Sequence, residues 1–244
     1  MSNLVIDIGN SRTKLAIFDN RKLIKSEVCS GLDKNQLRTY IKQYSIQQSI
    51  ISSVKEEVDV LADILAESTA YIRFSAETTA GIKLHYKTPK SLGLDRLAGV
   101  IGARALYPQR NCLVIDSGTC ITYDAVDREG VYHGGSISPG LHMRLRAMHE
   151  FTGRLPVVEW SDFDGLYGND TATSMLSGVV NGTLAEVAGF IEKYRIHYPD
   201  LQVILCGGDS IFFDSRLKSS IFAHTLKTEP ELVLIGLNEV IHQQ

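Results

Sequence analysis

Asp7-Ile8-Gly9-Asn10-Ser11-Arg12-Thr13-Lys14 is the stretch on which the fold turns. It follows the apolar run Leu4-Val5-Ile6 and precedes a second one, Leu15-Ala16-Ile17-Phe18. Apolar runs this short, with turn residues between them, predict two strands joined by a tight polar turn. Gly9 lets the backbone bend where a Cβ would not fit and lets it approach a ligand closely. Asn10, Ser11 and Thr13 add short hydrogen-bonding groups, and Arg12 and Lys14 add positive charge. Asp7 stands at the strand end, where its carboxylate could hold a hydrated Mg2+ ion on a phosphate chain. The turn has the make-up of a phosphate clamp, although an ordinary hairpin with a self-satisfied polar turn fits the octapeptide equally.

A second copy shifts the balance. Ile115-Asp116-Ser117-Gly118-Thr119 follows the apolar run Cys112-Leu113-Val114 and precedes the strand-like Ile121-Thr122-Tyr123. Two strand-Asp-x-Gly-Ser/Thr-strand turns, far apart in one chain, predict two related halves facing one nucleotide.

The order of elements repeats as well. Strands are expected at 3–9, 14–19 and 22–28, a helix at 33–44, a strand at 49–54, a helix at 56–67 and a strand at 71–75. Leu37, Tyr40, Ile41 and Tyr44 share one face of the first helix, and Val60, Leu61, Ile64 and Leu65 one face of the second. Downstream, strands at 112–117, 120–126 and 131–138 precede helical segments. A strand at 201–206, a helix at 210–219, a strand at 221–226 and a helix at 231–242 follow. This repeated unit is the topology of the actin, Hsp70 and sugar-kinase superfamily. The expected fold is therefore α/β, two duplicated ribonuclease-H-like halves with the active site in the cleft between them. The polar break Tyr107-Pro108-Gln109-Arg110-Asn111 sets the expected division, 1–110 and 111–244.

Composition bounds the function. The 244 residues, 44% hydrophobic and 22% charged, are those of a soluble globular chain. A net charge of −3 argues against non-specific nucleic-acid binding, which needs a basic surface. No uninterrupted apolar run suggests a membrane span, and the N-terminus lacks the basic and cleavage features of a signal peptide. Cys29, Cys112, Cys120 and Cys206 are scattered, which predicts free thiols in a reducing cytoplasm rather than disulfides or zinc.

His85-Tyr86-Lys87-Thr88-Pro89-Lys90-Ser91-Leu92-Gly93-Leu94-Asp95-Arg96 reads as a loop running into a helix over 97–106. Asp95 has two readings, a helix N-cap or first-turn acid, or a general base beside an anchoring arginine. A carboxylate suits removal of a hydroxyl proton during attack on the γ-phosphorus of ATP.

Asp7-Ile8-Gly9-Asn10-Ser11, Gly93-Leu94-Asp95-Arg96 and Asp116-Ser117-Gly118-Thr119-Cys120-Ile121-Thr122, in this order and separation, resemble the type III pantothenate kinases. The likeness continues through Gly134-Gly135-Ser136-Ile137-Ser138-Pro139-Gly140 towards the C-terminus. The resemblance implies a cytoplasmic, homodimeric enzyme that phosphorylates pantothenate with ATP, Mg2+ and a monovalent cation, K+ or NH4+. It implies that Asp7, Ile8, Gly9, Asn10, Ser11, Arg12, Thr13 and Lys14 hold the ATP phosphates, with Asp7 helping to position Mg2+. Thr119 would contact ATP in the second turn, and Asp116 would bind the monovalent cation. Gly93, Leu94, Asp95 and Arg96 would hold pantothenate, with Asp95 as proton acceptor. Tyr86 and Thr171 would line the pantothenate site, Thr171 from across the dimer interface. Arg96 is the natural partner for the pantothenate carboxylate in an acidic protein.

Gly207-Gly208-Asp209 reads as a turn that could lie against the adenosine end, or as a plain strand-to-helix turn. His142 and His149 share a helix with Arg144 and Arg146, more a solvated or interface face than a metal site. Trp160, Asp162 and Asp164 fall in an acidic segment expected as surface loop or dimer contact. The apolar stripe of a helix over 172–194 is expected to serve as core and dimer seam. Two other functions remain open: a non-catalytic transcription-accessory relative of the same fold, and a superfamily kinase for a sugar or acetate. Asp7, Asp95, Arg96 and Asp116 count against the first, and the short chain counts against the second. A chaperone of the Hsp70 kind lacks the length for a substrate-binding domain.

Overall fold

The computed structural model describes residues 1–9, 12–29, 31–53, 59–218 and 225–243. Two compact units emerge, one formed by Met1–Gln109, Val126–Gly134 and Glu231–Gln244, the other by Arg110–Ala125 and Gly135–Pro230. One boundary of the first unit falls at 109/110. The chain returns to the first unit twice, at 126–134 and at 231–244.

In the first unit, β1 (Ser2–Ile8), β2 (Thr13–Asp19), β3 (Lys22–Cys29), β4 (Gln48–Ser53) and β5 (Ala70–Arg73) form a sheet in the order β3-β2-β1-β4-β5. β1, β2 and β3 run antiparallel, whereas β4 and β5 extend the sheet in parallel from β1. Helix α1 (Lys34–Gln43) starts where the Asp33 carboxylate accepts the backbone N–H groups of Asn35 and Gln36. With α2 (Asp59–Ser68), it covers one face of the sheet. Leu37, Tyr40, Ile64 and Leu65 join Leu4, Ile6, Leu15 and Ile17 in one core. Ile41, Tyr44 and Leu61 pack at its margin, but Val60 points outward and is 48% exposed. Residues 54–58, including the starts expected for α2, and 221–224 of the expected strand lie outside the described residues. A short β6 (Lys83–Leu84), too brief to leave a period-2 signal, pairs with Val131 and Tyr132. Helices α3 (Leu94–Leu106) and α7 (Leu232–His242) pack on each other, and α7 also lies on β1 and β4.

The second unit repeats the plan. Strands β7 (Cys112–Ser117), β8 (Cys120–Val126), β9 (Val131–Pro139), β10 (Gln202–Cys206) and β11 (Leu226–Thr228) stand in the order β9-β8-β7-β10-β11. That is the first sheet's order, element for element, with β10 again parallel to the strand that ends in the aspartate turn. Helices α4 (Leu141–Glu150), α5 (Thr171–His197) and α6 (Ser210–Leu217) enclose a core that includes Leu113, Ile115, Val179, Val187 and Phe213.

Among the described residues, α5 is the one helix long and apolar enough to cross a membrane. Its buried stripe, Met175, Leu176, Val179, Val187 and Ile191, belongs to the core of its unit, as the sequence led us to expect. The acidic segment at 157–168 is a largely exposed loop, as expected, pinned at a few points. Asp162 and Asp164 both bond Arg216 of α6, and Trp160 packs edge-on to Phe212 at 5.2 Å. His142 lies against Trp160, and His149 Nδ1 is 2.7 Å from the Leu155 carbonyl. Neither belongs to a metal-ligand cluster among the described residues. All four cysteines are free.

Candidate active site

The first turn closes where the Gly9 N–H donates to the Arg12 carbonyl at 3.1 Å. Ile8 pairs with Thr13 across the hairpin and Asp7 with Lys14, so the acid and the lysine face each other at its mouth. Ile8 and Thr13 are buried and anchor the turn, while Arg12 is exposed. Asn10 and Ser11, the other two expected phosphate contacts, lie outside the described residues. On its other side β1 pairs with β4, which sets Ser52 next to Asp7.

Asp7 is electrostatically unusual. Burial and the neighbouring Asp95 carboxylate push its carboxyl up to about 6, against the opposing pull of the Ser52 hydroxyl and Lys14. The first unit therefore brings Asp7 and Asp95 close enough to repel. Two converging carboxylates offer hard oxygen donors, and a divalent cation such as Mg2+ would relieve their repulsion. Carboxylate oxygens are the donor type such an ion takes.

Asp95 lies in the first turn of α3, but Gly93 occupies the N-cap, with no capping side chain. The N-cap reading of Asp95 is replaced by a first-turn one, in which its carboxylate accepts the Arg96 N–H at 2.8 Å. The side chain remains exposed. Gly93 leaves it room, because a Cβ there would come within 2.6 Å of Asp95 Oδ1. Leu94, beside it, opens the helix and is partly buried. Arg96 is buried, with 8% of its surface exposed, and its guanidinium sits 5.9 Å from the Tyr86 ring centroid. Tyr86 stacks in turn on the buried Tyr132 at 6.0 Å. Tyr132 and Ser52 went unnoticed in the sequence. Their places follow from strand pairing, for which a lone tyrosine or serine in an apolar run carries no signal.

The second turn is built in its own unit. Asp116, next to last in β7, pairs with Cys206, and the Ser117 hydroxyl donates to the Cys206 carbonyl at 2.8 Å. The Gly118 N–H donates to the Cys120 carbonyl at 3.0 Å, which leaves Thr119 exposed at the tip. Gly207 has φ +88°, and a Cβ on it would lie 2.5 Å from Asp116 Oδ1. Glycine is thus required twice over, by the left-handed backbone and by the approach to Asp116. The Asp209 N–H donates to the Ser117 carbonyl at 2.9 Å, so the 207–209 turn closes over the aspartate. A carboxylate in a backbone-walled niche is a chemically suitable seat for a monovalent cation. Thr171 lies apart from this turn's bonds, as the first residue of α5. There Asp170, Thr171 and Ser174 line one side of a recess of about 570 Å3 shared with Met148, Leu155 and Met175, beside the Asp170–Thr173 capping box.

A family model described as type III pantothenate kinase matches residues 3–193. The type III pantothenate kinase of Phocaeicola vulgatus is 42% identical over 240 residues, covering 98% of this chain and 97% of its own. That of Bacteroides fragilis strain YCH46 is 40% identical over 241 residues, with the same coverage. A conserved Campylobacter jejuni protein, provisionally described as a Baf-family transcriptional activator, superposes with a TM-score of 0.61 at 19% identity. The match covers 98% of both chains. The inorganic polyphosphate/ATP-glucomannokinase of Arthrobacter sp. strain KM gives 0.50 at 14% identity, covering 100% of this chain and 99% of its own. At such identities the structures speak for the fold alone, and that fold is the one shared by actin, Hsp70 and the sugar kinases.

Proposed function

The chain belongs to the type III pantothenate kinase family, and on that premise we propose that it phosphorylates pantothenate with ATP, yielding 4′-phosphopantothenate for coenzyme A biosynthesis. The observation that carries the reading is the first-turn Asp95, exposed and close enough to repel Asp7 at the mouth of a phosphate-type turn. In the proposed reaction Asp95 takes the proton of the pantothenate primary hydroxyl. The hydroxyl oxygen forms its bond to the γ-phosphorus as the bond to the β-phosphate oxygen breaks, and ADP departs.

The chain's own groups divide the remaining work. The 7–14 turn and Thr119 hold the phosphates, with Lys14 opposing their charge. Asp7 holds Mg2+, which when bound neutralises phosphate charge. Asp116 holds K+ or NH4+ in the niche that Gly207 keeps open. Arg96, fixed against Tyr86, attracts the pantothenate carboxylate. Gly93 and Leu94 shape the acceptor site. We further propose a homodimer working in the cytoplasm, in which Thr171 reaches the pantothenate of the second copy.

The test is turnover of pantothenate by purified protein with Mg2+ and ATP, in potassium and in sodium buffer. Potassium-dependent turnover is expected. Turnover indifferent to the cation would remove the Asp116 role, and no turnover with intact ATP binding would remove pantothenate as acceptor.

A further inference from the structure

The second unit contains a bonded cluster that the proposed chemistry does not use. Glu186, midway along α5, accepts the Tyr123 hydroxyl at 2.8 Å and the Ser138 hydroxyl at 2.6 Å on Oε1. Arg144 Nη2 donates to its Oε2 at 2.6 Å. Burial pushes the Glu186 carboxyl up, but the bonds from Ser138, Arg144 and Tyr123 outweigh it and hold it below the usual range. Tyr123 is itself immobilised, fully buried and stacked on Phe190 of the same helix at 4.0 Å.

What Glu186 grips is a corner of backbone. Ser138 and Arg144 flank the junction where β9 runs into α4, and Arg144 Nε donates to the Pro139 carbonyl at 2.8 Å. The next residue, Gly140, donates its N–H to the Thr119 carbonyl at 3.1 Å. A Cβ on Gly140 would come within 2.5 Å of the Gly118 carbonyl oxygen and 2.6 Å of that of Thr119. The corner and the second turn are in backbone contact, so a displacement of the corner bears directly on the turn.

We propose that Glu186 is a positioning residue for nucleotide binding: through Ser138, Arg144 and the Pro139–Gly140 backbone it fixes the Gly118–Thr119 turn in the shape that ATP requires. The proposal rests on Thr119 as an ATP contact. It makes the corner behind the phosphate turn, rather than the turn alone, a determinant of ATP affinity.

Nucleotide titration of the whole protein, with no acceptor present, tests it in Glu186→Ala and Glu186→Gln beside steady-state kinetics. Misplacing a binding group indirectly costs about 10-fold or more, so the ATP Kd and KM of Glu186→Ala should rise by that much. The KM for pantothenate should stay within about 2-fold, since no residue proposed to bind it touches this cluster. Glu186→Gln keeps the acceptor for Tyr123 and Ser138 and should fall between. A merely structural role would lower the melting temperature and leave the ATP Kd of the folded fraction unchanged, and that result overturns the proposal. If Glu186→Ala does not fold, Arg144→Met severs the same link, and an unchanged ATP Kd there overturns it equally. Altered ATP binding in a protein that does not phosphorylate pantothenate would keep the clamp and refute the acceptor. Normal turnover with unaltered ATP binding would do the reverse.

Discussion

Replacing Asp7 by asparagine should stabilise the ligand-free fold at neutral pH while removing the carboxylate proposed to hold Mg2+. Asp7 titrates near 3.8 in an unfolded chain and at about 6 in the fold, where burial and Asp95 oppose its charge. Below pH 4 both states hold the proton and the residue costs nothing. As pH rises from 4 to 6 the unfolded chain ionises first and stability drains away, and above 6 the loss is complete. At about 1.4 kcal/mol per pKa unit, a rise from 3.8 to about 6 corresponds to about 3 kcal/mol. Asparagine keeps an oxygen for the Ser52 hydroxyl and never charges, so it should recover that amount. Urea unfolding without divalent cations, at pH 7.5 and pH 4, reads the difference. The midpoint of Asp7→Asn should rise by about 1–3 M at pH 7.5, and the gain should shrink below about 1 kcal/mol at pH 4. An equal gain at both pH values, or a loss at pH 7.5, would refute the claim that Asp7 is held ionised against burial and Asp95.

Asp95→Asn should slow turnover by about 10²–10⁴-fold while a nucleotide titration shows ATP still bound; near-full turnover would end its role as base. Arg96→Met keeps the stem against Tyr86 but removes the charge, so the KM for pantothenate should rise about 10-fold or more with that for ATP little changed. Leu237→Ala, at a fully buried position in α7, should cost about 2–5 kcal/mol in denaturant unfolding despite its distance in sequence from β1.

Much of the architecture was legible because the signals are local. Leu4–Ile6, Leu15–Phe18 and Cys112–Ile115 are short apolar runs that flank the aspartate turns, and their periodicity placed β1, β2 and β7 closely. Asp33 and Asp170 cap helices as short polar residues before apolar stripes do. Long-range facts left no such trace. That 126–134 and 231–244 belong with the first unit depends on partners far away in sequence. The outward turn of Val60 is set by how α2 rolls on its sheet. In the site, turn chemistry singled out Asp7, Asp95 and Asp116. The repulsion between Asp7 and Asp95, the Ser52 contact and the Glu186 cluster instead follow from register and packing that no motif encodes.

The return of α7 to the first unit has a bearing on biosynthesis. On the ribosome, β1 to α3 emerge early, but the surface that receives Leu232, Leu234 and Leu237 stays uncovered until the Leu232–His242 segment has been translated. The whole of 135–230 emerges in the interval and can close its own core first. The part of the protein made first is thus the part finished last. While it waits, its apolar groove is where a nascent-chain chaperone would be expected to sit.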